Sequence, residues 1–320
     1  MADIHNLFSK FNSEISLSPD KKENLRRGRD VLRGKIKTWF ADNDKQKPTF
    51  CWQGSFAMKT TVNPINGNEY DLDDGVYLSG YSDADQESWP APTTVHSWIK
   101  SAVNGHTKQS PVDKDTCVRV VYATGYHIDY PIYIMQDDIA YLAHKRDGWI
   151  VSDPKAFKDW FIEKVQDSDE QLRRVVKYMK AWKEYKEIPL KGIEITILVA
   201  NNFEIYEGHD EKSLRDTLSN IINTLSMNFS CIKPVLPGED LFDGVGETKK
   251  NKIIDGLTDL KDALDKAIAE DDPAVASDYM IGMFGNRFPK GESVEKSSET
   301  ASSFVRTSSP GVLRHDGRSA

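Results

Sequence analysis

The chain has 320 residues, 38% of them hydrophobic and 10% aromatic, which is enough for one large mixed domain or two lobes. Its net charge of −8 excludes constitutive binding to bulk nucleic acid but leaves room for a local basic groove. No apolar run approaches the roughly 18 residues a bilayer span needs, and the start, MADIHNLFSK, has no apolar leader core; the chain reads as soluble and cytoplasmic.

Ile4, Leu7, Phe8, Phe11 and Ile15 recur at helical spacing. A second, longer helix is predicted from SPDKKENLRRGRDVLRGKIKTWF, with Ser18 as N-cap and Pro19 in the first turn. Leu25, Leu32, Ile36, Trp39 and Phe40 give it an apolar stripe, and Arg26, Arg27, Arg29 and Arg33 read as its solvated face, with phosphate contact as the alternative. Residues 48–150 change character. TFCWQGSFAM, YDLDDGVYL, TCVRVVYATGYHIDYPIYIM and IAYLAH are rich in β-branched and aromatic residues and read as a sheet. Thr124-Gly125 predicts a hairpin joining 117–123 to 126–135. From residue 152 the pattern is helical. Asp153-Pro154 opens one helix, and Ser168 to Gln171 reads as the capping box of the next. Further helices are predicted near 190–203, 211–227, 247–269 and 273–284. After Phe288-Pro289 the apolar pattern stops, and the Ser-rich end reads as disordered. The organisation predicted is 1–46 N-terminal helices, 47–150 sheet core, 151–289 helical lobe and 290–320 tail. Cys51, Cys117 and Cys231 lack CxxC spacing and read as buried reduced thiols, not a zinc or disulfide framework.

EYDLDDGVYL places three carboxylates in a segment that otherwise reads as a strand. Residues two apart share a strand face, so Asp71 and Asp73 project together while Tyr70 and Leu72 face away. Like charges at that spacing need cations between them, and a pair of divalent ions about 3.5–4 Å apart is the usual answer in phosphoryl transfer. YHIDYPIYI supplies a third acid: Asp129 shares a face with His127 and Tyr133, opposite Ile128, Tyr130, Ile132 and Ile134. Pro131 predicts an edge position for that strand. Asp83-Ala84-Asp85 and Asp113-Lys114-Asp115 have the same spacing but sit in polar, turn-like stretches and read as loops. Gly54-Ser55 follows an apolar run and suits a turn offering N–H groups and a hydroxyl to phosphate. No GxxxxGK[ST] occurs.

Gly54-Ser55, the paired aspartates and the lone strand aspartate together resemble the DNA polymerase β-like nucleotidyltransferases. The longer series QGSFAMKTT, NEYDLDDGVYL, YHIDYPIY, SDPKAFKDWF and VVKYMKAWK, running over about 50–290, resembles the bacterial cGAS/DncV-like nucleotidyltransferases. The resemblance implies an α+β fold: a polymerase β-like core with a mixed sheet, a long N-terminal spine helix and a C-terminal helical lobe. It implies synthesis of a cyclic di- or trinucleotide from NTPs, ATP or GTP among them, as a CBASS anti-phage signal read by a downstream effector. By position, Asp71, Asp73 and Asp129 match the family's carboxylates for two Mg2+ ions, with Mn2+ as the substitute. Gly54 and Ser55 match its phosphate-gripping turn. Lys180 matches a basic residue near the donor triphosphate, with Lys177 and Lys183 as competitors on the same helix. Asp74 is a weaker candidate beyond the triad, and His127 reads as a structural neighbour. Eukaryotic relatives use long nucleic acid as activator; the acidic charge and absent zinc cluster imply that none is required here. The small residues closing the tail, Gly317, Ser319 and Ala320, suit a ubiquitin-transfer-like enzyme that joins the C-terminus to a target. The alternatives are a superfamily enzyme modifying an antibiotic, RNA or protein, and a non-catalytic sensor of the same fold.

Overall fold

The computed structural model describes residues 4–65 and 67–293. The expectations for the tail beyond Ser293, including conjugation at Ala320, lie outside the described residues. The chain begins with α1 (His5–Ile15) and α2 (Pro19–Asp42), the latter capped by Ser18, whose side chain accepts from Lys21 N. Then come β1 (Thr49–Gln53), the single turn α3 (Gly54–Ala57), β2 (Tyr70–Leu78) and α4 (Pro92–Val103). Six strands follow: β3 (Val112–Asp113), β4 (Val118–Tyr122), β5 (Tyr126–Tyr130), β6 (Ile132–Gln136), β7 (Ile139–His144) and β8 (Gly148–Val151). The remainder is helical: α5 (Pro154–Gln166), α6 (Gln171–Tyr185), α7 (Gly192–Asn202), α8 (Asp210–Met227), α9 (Glu247–Ala269) and α10 (Pro273–Phe284).

β2 is the axis of the sheet. β1 runs antiparallel along one side of it, with Gln53 opposite Asp73. On its other side β5 and β6 act as one parallel strand, holding a single register from Tyr70 opposite Tyr126 to Leu78 opposite Ile134. The outer neighbour of that strand changes midway. β4 pairs with β5 as far as Tyr130, and β7 pairs with β6 from Tyr133 onward. Pro131 occupies the gap. It is therefore central, not at an edge: its missing N–H falls where no outer partner stands, and its carbonyl accepts from Val76 N at 2.8 Å. The predicted hairpin closes at Gly125, in left-handed backbone at φ 81°.

Two cores form. One packs Leu25, Leu32, Ile36 and Phe40 of α2 and Val95 and Ile99 of α4 on the back of the sheet, against Leu72, Val76 and Ile128. The other is helical and takes in α1 through Phe8 and Phe11, which meet Tyr178, Phe284 and Phe288. The mixed α+β class is as predicted. α4 is the one long helix absent from the sequence reading, although Pro92 stands at its first turn. The Ser168 capping box is a correction. Helix α6 starts from Glu170 in left-handed backbone; Ser168 Oγ donates to Val165 O, and the Gln171 side chain crosses to Tyr206 O and Asp210. Cys117 and Cys231 are buried thiols, but Cys51 is only half-buried; all three are free.

Candidate active site

Strand parity and register bring the predicted acids together. Asp71 and Asp73 lie on one face of β2, and Asp73 stands directly opposite Asp129. They line one wall of a cavity of about 790 Å3, in the upper range for small-ligand sites. The other walls carry Gly54, Ser55, Lys180, Lys183 and Thr196. Burial and the neighbouring Asp71 and Asp129 push the Asp73 carboxyl well above the usual range. Asp74, one residue on, projects from the back of the sheet. There it is fully buried and takes a two-pronged bond from Arg33, with Nε to Oδ2 at 2.7 Å. Asp74 is thus separated from the cavity, and Arg33 is a half-buried partner of it rather than part of a solvated face.

Gly54 opens the turn after β1 at φ 65°, and a Cβ there would lie 2.2 Å from Asp73 Oδ2. Only glycine lets this turn close on the carboxylate. Ser55 Oγ lies 2.9 Å from Thr61 Oγ1. Lys180 reaches across from α6 and donates to Thr60 O and Oγ1 at 3.2 and 3.0 Å. Burial lowers its pKa to about 8, with Asp71 opposing. Lys183 also lines the cavity, whereas Lys177 lines a different one and donates to Ser16 Oγ. Of the three lysines, position favours Lys180 as the cation beside the acids. His127 is tied to Glu69, Nδ1 to Oε2 at 2.7 Å, as a structural neighbour.

Sequence reasoning missed Arg119. It faces Asp129 across the β4–β5 hairpin and grips both carboxylate oxygens at 2.7 Å. The signal was available: given the turn at Thr124-Gly125, strand parity puts Arg119 on the face of Asp129. Gln53 was missed too; it is buried opposite Asp73 and donates to Tyr133 Oη at 3.0 Å. Among the described residues no group of three or more His, Cys, Asp or Glu is arranged to close on one metal ion. Arg119 accounts for part of this, since it holds both oxygens of Asp129. The donor set still fits a hard divalent cation. It is all oxygen, and the repulsion that raises Asp73 is what such a cation relieves.

Residues 48–133, the span holding all three acids and the Gly54-Ser55 turn, match the family described as cyclic GMP-AMP synthase DncV-like, nucleotidyltransferase domain. Over that span the chain is similar to the DncV-like nucleotidyltransferases. A cyclic GMP-AMP synthase of Escherichia albertii is 31% identical over 205 residues, which is 59% of this chain and 44% of that protein. A CBASS oligonucleotide cyclase, CdnC, of Escherichia coli is 23% identical over 211 residues, 64% of this chain and 67% of the relative. The chain spans about half the length of the first curated relatives it matches. The DncV-like fold extends beyond the matched domain: the crystal structure of Vibrio cholerae DncV superposes with a TM-score of 0.75 at 19% identity, covering 90% of this chain and 98% of that one. Among the described residues no helix is long and apolar enough to cross a membrane.

Proposed function

We propose that this chain joins NTPs, ATP or GTP among them, into a cyclic di- or trinucleotide with release of pyrophosphate, and that the product is an anti-phage second messenger read by an effector. The observation that carries the reading is the meeting of Asp71, Asp73 and Asp129 on one cavity wall, with Gly54 closed onto Asp73. The relatives described as cyclic GMP-AMP synthase and CBASS oligonucleotide cyclase support the product class.

In this reading Asp71 and Asp73 would hold two magnesium ions, with Asp129 as their third carboxylate. Such ions would supply charge neutralisation to the triphosphate and acidity to the attacking hydroxyl. The chain's own side chains do the rest. Ser55 Oγ donates to a phosphate oxygen, and Gly54 lets that hydroxyl approach. Lys180 Nζ places a positive charge beside Asp71, where the donor triphosphate would collect negative charge. Asp129 accepts from the attacking hydroxyl, with Arg119 holding its carboxylate in plane. The cavity lies between sheet and helical lobe, so both contribute walls.

The test is incubation of purified protein with all four NTPs and magnesium, with mass spectrometry of the products. Cyclic oligonucleotides are expected without added nucleic acid. Transfer only in the presence of an added acceptor would replace the proposal with single-nucleotide modification of that acceptor. No consumption of any NTP would point to a non-catalytic sensor.

A further inference from the structure

The wall of the catalytic cavity has a second side. Ser55, Met58 and Thr60 face the catalytic cavity, while Phe56, Ala57 and Lys59 face a separate hollow of about 290 Å3; Thr61 lines both. We propose that this second hollow binds a small phosphorylated ligand with a planar ring, the chemistry of a nucleoside phosphate. It is a site distinct from the carboxylate centre and reaches beyond the synthesis reaction.

Four cations converge on it: Lys22 and Arg26 of α2, Lys59 and Lys177. Among the described residues no acidic side chain lines it. Lys177 donates to Ser16 Oγ at 2.9 Å and makes no ion pair among the described residues. Its pKa is depressed to about 8, first by burial and then by Lys22 and Arg174, so a bound anion would offset a cost already present. Lys59 stands in left-handed backbone at φ 59°. The aromatic wall is Trp52 and Phe56, with ring centroids 6.1 Å apart. Trp52 is 40% exposed, and Arg29 lies 4.9 Å over its ring.

The shape decides between ligand classes. A duplex needs cations strung along a surface to meet successive phosphates. Here the cations close around one hollow with an aromatic wall, which suits one or two phosphates and a ring. Thr61, hydrogen-bonded to Ser55, connects the two cavities.

The probes are AMP and inorganic pyrophosphate, titrated by calorimetry into the full chain in EDTA, where the carboxylate centre repels phosphate. Both are expected to bind. Lys22→Glu and Arg26→Glu should each weaken both by at least about tenfold. Trp52→Ala should weaken AMP by about fivefold or more but leave pyrophosphate within about twofold. Asp71→Asn should change neither, which separates this site from the catalytic one. Unchanged affinities in both charge variants overturn the proposal. It is also overturned if those variants keep AMP but lose binding to a duplex of about 20 base pairs, since the cations would then serve nucleic acid. The readout is binding, so the result is independent of turnover, and melting curves of each variant confirm that it is folded.

Discussion

Asp73 and Asp210 are two shielded carboxylates with opposite surroundings. Asp210, at the start of α8, is fully buried and saturated. It accepts from Arg174 Nε and Nη2, from Gln171 and from Tyr178 Oη at 2.7–3.0 Å. Burial would raise its pKa, but these bonds win and hold the carboxyl below its ordinary value. Asp73 faces Asp71 and Asp129 instead, and burial and repulsion carry it well upward. Saturation marks a carboxylate that holds the helical lobe together. Repulsion left in place marks one kept for a ligand.

Substitution at each position tests that contrast most strongly. Asp73→Asn removes a proposed metal carboxylate and should lower turnover by more than about a thousandfold, several kcal/mol of transition-state stabilisation. At pH 7 the ionised acid opposes the fold, because its folded pKa lies above the unfolded one. Thermal melting without metal should therefore show no loss of stability, or a gain. Asp210→Asn should do the reverse. It leaves Arg174 without its buried partner and should cost about 3–5 kcal/mol in denaturant unfolding. If Asp73→Asn melts as low as Asp210→Asn, the distinction between the two acids collapses.

Gly54→Ala is a smaller lesion at the same contrast. The added methyl would sit 2.2 Å from Asp73 Oδ2, at φ 65°, where alanine is strained. The turn must shift away from the carboxylate. A loss of about 1–3 kcal/mol is expected, read chiefly as a fall in kcat of ten- to a hundredfold. Gly125→Ala, also in left-handed backbone but with nothing within 4 Å of the new Cβ, is the control. It should cost only the backbone strain and leave kcat alone.

The acids were legible because strand parity is a local rule. Asp71, Asp73 and Asp129 needed only the period of two and one pairing, and helices such as Glu247–Ala269 needed only apolar spacing. What could not be read depended on partners remote in the chain. Asp74 and Arg33 are 41 residues apart, so neither shows in sequence that the other neutralises it. Pro131 suggested an edge because the change of outer strand from β4 to β7 is a property of the whole sheet. The choice among Lys177, Lys180 and Lys183 was open because helical spacing gives faces, not which cavity each face meets.

The smallest expected effect repeats the contrast within a single helix. On α6, Arg174 is paired with Asp210 and its pKa is raised, while Lys180 is lowered to about 8 by burial. The first is a structural cation and the second is charged against its surroundings. An unfolded lysine titrates near about 10.4. Between pH 8 and that value the unfolded chain binds more protons than the folded one, so stability should rise with pH across this window. Below pH 8 the full penalty of burying the charge applies. Lys180→Met removes the penalty while keeping the length of the stem. It should stabilise the metal-free protein at pH 7 by about 1–3 kcal/mol, a gain that fades as pH approaches the unfolded value. Lys177 is lowered to about 8 as well, so the variant should flatten the pH slope only in part. Denaturant melts at pH 7, 8.5 and 10 read this directly. The same variant should lose activity, because the buried charge that opposes folding is the one proposed to meet the triphosphate. A Lys180→Met protein less stable than wild type at pH 7 would show that the ammonium's bonds to Thr60 outweigh its desolvation, and that Lys180 belongs with Arg174 as a structural cation.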